Sequence, residues 1–303
     1  MPESKLIQPL ILSEYLHLPV NSAALKGKFT LNGSVSFNDG KLAESTIKLN
    51  SINSDWQFGT LTAQGLTAAG VLTFAENQYS LLPHDVTIGK LLWNNWELLN
   101  NELNVSLNNE GKLQIANWQA SLLGGRVIST RIPAINLYKT SEAVPVKFAL
   151  EDIPLTGFFN QFNIKSFISD ARLAGDIQLN INDQGITVEN SELSFKAPAG
   201  KNLQLNLANP ADLKMRDIQF RDFTLAVLKA MKCYQANFNF STAPGEVVMQ
   251  VKAEGAPAQP VPFVYQGRSG NTPFRPADPG ENGFAGEIEL NINLKLHPET
   301  PGA

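Results

Sequence analysis

The sequence predicts a mainly β protein, built as a long antiparallel sheet with a few short helices. The first sign is a repeated phrase. LAGDIQLNIN at 173–182 returns as FAGEIELNIN at 284–293 with seven of ten positions identical, and a looser copy, LNGSVSFN, occupies 31–38. The second is alternation within each copy. In the last, Phe284, Ile288, Leu290, Ile292, Leu294 and Leu296 fall on one side, and Ala285, Glu287, Glu289, Asn291, Asn293 and Lys295 on the other. A period of two marks a strand with one dry face. The third is punctuation by turn residues such as Asn38-Asp39-Gly40 and NNEG at 108–111, which are hairpin signals.

Element by element, residues 4–17 read as a short amphipathic helix stopped by Pro19. From Lys28 the period becomes two, with Phe29, Leu31, Val35 and Phe37 alternating. Further strands are expected at 44–50, 58–64, 69–75, 85–90, 101–107, 111–118 and 125–131. The stretch 131–145 carries two prolines and reads as a seam, which gives two segments, 1–131 and 132–303. Val144 to Leu150 alternates again, and IPLTGFFNQF places Pro154 where a first helical turn tolerates it. A hairpin spans 171–196. DFTLAVLKAMKCY at 222–234 is the strongest helix pattern, with Asp222 as its N-cap. Strands resume at 235–241 and 246–253. Six of the 18 prolines lie between Pro257 and Pro279, within a loop at 256–282, before the final strand at 284–296.

Composition bounds function. The 303 residues provide ample chain for a core, and a net charge of −4 gives no electrostatic reason to bind nucleic acid. The charged fraction of 17% is low, so neutral polar groups must dress the surface. The single cysteine, Cys233, excludes an internal disulfide and is expected to pack rather than react. No apolar run reaches the ~20 residues of a membrane-spanning helix. The N-terminal residues make a poor signal peptide, so an exported protein would carry its targeting segment outside this chain. No phosphate loop, dinucleotide fingerprint, nucleophile elbow or zinc-protease motif is present. His17, His84 and His297 are far apart, without ligand spacing. Glu287 and Glu289 are a carboxylate pair on the polar side of a strand, where solvent reaches them. No catalytic residue, metal site or cofactor is expected.

Gly33, Gly175 and Gly286 recur at one place in the phrase, on its apolar side. Bending a sheet at one position strand after strand would make a trough, and repeated sandwich packing would explain the same glycines. The helices are too few to cover a dozen dry strand faces. Either a second sheet covers them, as in a closed β-sandwich that binds a glycan or protein, or something that is not protein does.

Several stretches resemble the C-terminal region of the YdbH-like proteins, members of the AsmA-like group of bacterial envelope proteins related to TamB. They are LAGDIQLNI, ITVENSELSFKAPAG, VLKAMKCYQANFNF, GEVVMQVKAEG, PVPFVYQGR and GFAGEIELNINLKLHP, over about Val144 to Pro298; WQASLLGGRV at 118–127 resembles an AsmA-like strand turn. The resemblance implies a long antiparallel sheet curled into a groove with a greasy interior. It also implies a protein of the periplasm, held to the inner membrane by an N-terminal anchor outside this chain, that conducts phospholipid towards the outer membrane. The expected lining is Phe29, Leu31, Val35, Phe37, Leu173, Ile177, Leu179, Ile181, Ile288, Leu290, Ile292 and Leu294. An outer-membrane lipoprotein is expected to add a strand beside Glu289, Asn291, Asn293 and Lys295.

Overall fold

The computed structural model describes residues 4–5, 10–11, 22–39, 41–58, 61–75, 78–93, 96–136, 143–182, 185–205, 213, 218–243, 246–267 and 273–296. The fold is mainly β, as the alternation predicts. Short strands β1 (Ser4–Lys5) and β2 (Leu10–Ile11) both pair with β3 (Ser22–Asn38). An antiparallel meander continues through β4 (Lys41–Phe58), β5 (Leu61–Ala75), β6 (Gln78–Trp93), β7 (Trp96–Leu107) and β8 (Lys112–Leu122). Then come β9 (Gly125–Arg131), β10 (Ile135–Asn136), β11 (Val144–Pro154), helix α1 (Leu155–Asn160), β12 (Phe167–Ser169), β13 (Arg172–Asn182) and β14 (Gly185–Leu205). Helix α2 (Ile218–Leu228), β15 (Met231–Ala243), β16 (Glu246–Pro257), the small hairpin β17 (Phe263–Tyr265) and β18 (Phe274–Pro276), and β19 (Ile288–Leu296) complete the order. All strands except β17 and β18 belong to one sheet.

The chain forms two compact units. The first comprises Met1–Leu122, Arg126–Ala149 and Asn180–Ile186; the second comprises Leu123–Gly125, Leu150–Leu179 and Thr187–Ala303. The boundary read at 131/132 falls inside the first unit.

In the first unit, a line of irregularities crosses successive strands. The register shifts in β3 around Gly27, in β4 between Ser51 and Trp56, in β7 between Leu99 and Asn104, and in the facing stretch of β8. The backbone turns left-handed there at Asn53 (φ 46°), Gly65 (φ 68°), Asn100 (φ 50°) and Asn117 (φ 51°). These positions face one another through the register, with Leu66 opposite Ile88 and Ile88 opposite Asn101. Glycine and asparagine are the residues that enter this region at least expense. Each bulge adds a residue and bends its strand, and bulges aligned strand by strand bend the sheet along one line. The added residue also reverses the alternation, so that Ala63 and Leu66, three apart, share a face and pack in one cluster with Val86 and Ile88.

Bulges free backbone groups that must find partners. Ser54, fully buried, receives a hydrogen bond from Trp56 Nε1 at 2.6 Å and donates to the Leu66 carbonyl at 3.1 Å. Asn101, 1% exposed, donates to the carbonyls of Leu98 at 2.9 Å and Ile88 at 3.2 Å, and accepts from Trp118 Nε1 at 3.2 Å. Buried polar side chains therefore mark the bend.

The second unit is layered. Strands β14, β15, β16 and β19 run antiparallel in that order. Its two described helices bring phenylalanines onto the sheet: Phe158 and Phe159 of α1 lie 5.9 Å, centroid to centroid, from Phe240 of β15. Phe223 of α2 stacks on Phe274 at 3.6 Å.

Several expectations are corrected. The described residues within 4–17 are strands paired with β3, not a helix; backbone pairing to a long neighbour outweighs a short amphipathic pattern. The helix expected at 222–234 runs from Ile218 to Leu228, so Asp222 lies inside it. From Met231 the chain is strand, because Met231 and Cys233 are both buried on one side of β15 and pair with Pro257 and Gly255. The proline-rich stretch at 256–282 contains the β17–β18 pair and a bridge between Val261 and Phe284, so its aromatics anchor it. The last strand starts at Ile288, and Gly286 lies before it. Gly33 and Gly175 do sit at close strand approaches, where an added Cβ would meet a neighbouring carbonyl oxygen at 2.1 and 2.0 Å.

Candidate functional site

The register of the first unit builds an apolar face row by row, since directly opposed residues share a face. One row joins Ile47, Leu72, Leu81, Leu107, Leu113 and Ile135 across β4, β5, β6, β7, β8 and β10. A parallel row joins Val105 of β7 to His84 on one side and Ile115 on the other, and another joins Ala68, Val86 and Leu103. Beyond the bend, Trp56, Ala63, Leu91, Leu98 and Leu122 form a further row. Six strands at ~4.8 Å spacing make this face roughly 24 Å wide.

Its burial is graded. Ala63, Leu122, Val86 and Ile88, near the bend, are buried. Every member of the row from Ile47 to Ile135 is only half-buried. On β3 the same side opens progressively: Phe29 is half-buried and packs edge-on to Trp56 at 5.6 Å, Val35 is 49% exposed, and Phe37 is 68% exposed. No helix is described within this unit.

The expected lining residues thus separate into two environments. Phe29, Val35 and Phe37 stand on the open apolar side of β3, and the side chain of Leu31 lies outside the described residues. Leu173, Ile177, Leu290, Ile292 and Leu294, all at most 3% exposed, are core of the second unit. Leu179 and Ile288 are half-buried, and the side chain of Ile181 is outside the described residues. Sequence reading missed Ile47, Leu72, Leu81, Leu107, Leu113 and Ile135. For Ile47, Leu72, Leu107 and Leu113 the signal was present as alternation in the predicted strands, but the row needed the register; Leu81 and Ile135 fell outside those strands.

Along β19, Glu289, Asn291 and Asn293 are exposed, and Lys295 pairs with Glu246 on β16 at 3.0 Å. One side of β19 is fully paired with β16; on the other, the described residues supply a single bridge, from Leu213 to Leu294.

Other chemistry is sparse. Among the described residues no group of His, Cys, Asp and Glu could hold a metal, and no helix is long and apolar enough to cross a membrane. His84 bonds the Leu82 carbonyl at 3.0 Å, whereas His17 and His297 lie outside the described residues. Burial pushes the Cys233 thiol up to about 11, which keeps it protonated and inert near neutrality. The chain matches no family model, no curated protein and no solved structure.

Proposed function

We propose that the chain is a non-enzymatic segment of a phospholipid conduit, and that the apolar face of the first unit carries the acyl chains. One observation supports this above the rest: the row from Ile47 to Ile135 is aliphatic across six strands and half-open along its whole length. A phospholipid entering water exposes ~30 methylenes at ~0.8 kcal/mol each, on the order of 25 kcal/mol. A face of Ile, Leu, Val and Phe lowers that barrier. Apart from His84, whose ring bonds the Leu82 carbonyl, these rows carry no ionisable side chain, and this lets chains slide. The bend along the line of bulges brings rows from both sides into one cluster, which shelters the chain beside it.

On this reading the YdbH-like resemblance stands for the envelope setting: periplasm, an inner-membrane anchor outside this chain, and an outer-membrane lipoprotein that adds a strand to β19. The side of β19 on which the described residues supply a single bridge suits such addition. Protein fills the apolar side of the second unit, so conduction is assigned to the first unit alone. That filled interior is what a closed binding module would have, and it favours this second role for the second unit.

The test is native mass spectrometry of the chain purified from a bacterial envelope. Bound phospholipid is expected, reduced several-fold by Leu72→Asp with Leu107→Asp while the circular dichroism stays that of a sheet. A lipid-free wild-type chain contradicts the reading.

A further inference from the structure

The second unit holds a pocket of about 350 Å³ that the conduit reading does not use. It is lined by Phe220, Tyr265, Pro273, Phe274, Phe284, Glu287, Ile288 and Glu289. We propose that this pocket receives an organic ammonium group.

The walls are aromatic and set at angles. Phe274 meets Phe284 at 85° with centroids 5.2 Å apart, and Tyr265 at 53° and 5.4 Å. Phe220 lies nearly parallel to Phe274 at 6.1 Å. Phe274 is buried and fixed by its stack on Phe223, whereas Tyr265 is 51% exposed. Ring faces carry negative potential and attract a cation held within about 6 Å.

The rim adds full charges. Glu287 and Glu289 are exposed and line the pocket, and neither has an ion pair among the described residues. Glu289 stands directly opposite Glu254 of β16, a like-charge pair that destabilises a sheet unless a cation relieves it. Lys252, opposite Asn291, is one level further along. Aromatic rings beside two carboxylates that have no ion pair among the described residues select a cation over an apolar guest of the same size. The volume suits a head group rather than a folded partner. The inference does not depend on lipid conduction.

Saturation-transfer NMR on the full chain tests it, using tetramethylammonium and ethanolammonium with neopentyl alcohol as the neutral control. Both cations are expected to bind at millimolar concentration, at least about fivefold tighter than the alcohol. Tyr265→Ala, and Glu287→Gln with Glu289→Gln, should each weaken them about fivefold, while Tyr265→Phe binds as the parent. These sites are exposed, and an unchanged thermal transition confirms folding. Micelles bearing ethanolamine or glycerol head groups identify the source. Preference for ethanolamine micelles assigns a lipid head group, and binding of free amines alone assigns a soluble amine; both support the site. Equal binding of the alcohol, no transfer from either cation, or capture of a lysine-rich peptide alone overturns it.

Discussion

The two units solve the dry-face problem of a β-sheet differently. Among the described residues, nine buried hydrophobic residues belong to the first unit and thirty-one to the second. The second covers its sheet with α1, α2 and the β17–β18 hairpin, and seals it with a chain of phenylalanines. The first has no described helix; it bends, and leaves aliphatic rows half-open. Identical alternation thus yields a packed core in one place and an exposed apolar face in the other. What differs is whether the connections between strands carry apolar mass: α1, α2 and the proline-rich segment do, and the connections of the β3–β8 meander, only two to four residues long, do not.

The comparison breaks most readily at the cores. Phe159→Ala, at a fully buried site, should destabilise the second unit by about 3–5 kcal/mol. Leu107→Ala, at a half-buried site, should remove about 1 kcal/mol from the first. Urea unfolding followed by circular dichroism reads both, and equal losses would mean that the Leu107 row is sealed.

The bend comes next. Ser54→Ala strips a partner from Trp56 Nε1 and the Leu66 carbonyl and should cost about 1–3 kcal/mol. Asn100→Val forces a β-branched residue into the left-handed region, at a similar 1–3 kcal/mol, whereas Asn100→Gly should be tolerated within about 1 kcal/mol. If Val and Gly behave alike in thermal denaturation, the bulge is absent.

The smallest effect sharpens the second unit alone. Arg275 bonds Glu281 through both carboxylate oxygens at 2.6 Å and, with the Asp278 backbone N–H, lowers its carboxyl to about 2. The folded value is depressed, so this staple is complete above the ordinary value of 4.5 and is lost as pH falls towards 2. Carbon-detected NMR should show that titration, and Arg275→Met should return it towards 4.5.

The long strands were legible because alternation survives over most of each one; β1, β2, β10, β12, β17 and β18, of two or three residues, are too short to carry it. The bend was not, although its trace is in the sequence: in 61–68 the apolar side switches phase between Ala63 and Leu66 around Gly65. A phase slip in one strand reads as noise. It becomes a bend only when Asn53, Asn100 and Asn117 are found facing it, and that needs the register. The same holds for the candidate site. Phe29, Val35 and Phe37 were readable as a dry side, but alternation could not say that Leu290 and Ile292 would be covered by protein, because cover comes from segments distant in sequence.

Site-specific photo-crosslinking in cells decides the central claim. With a photoreactive phenylalanine analogue in place of Ile47, Leu81 or Leu107, and separately of Leu290 or Ile292, the account predicts phospholipid adducts at the first three positions and none at the last two. Adducts confined to Leu290 and Ile292, or absent from all five, would contradict it.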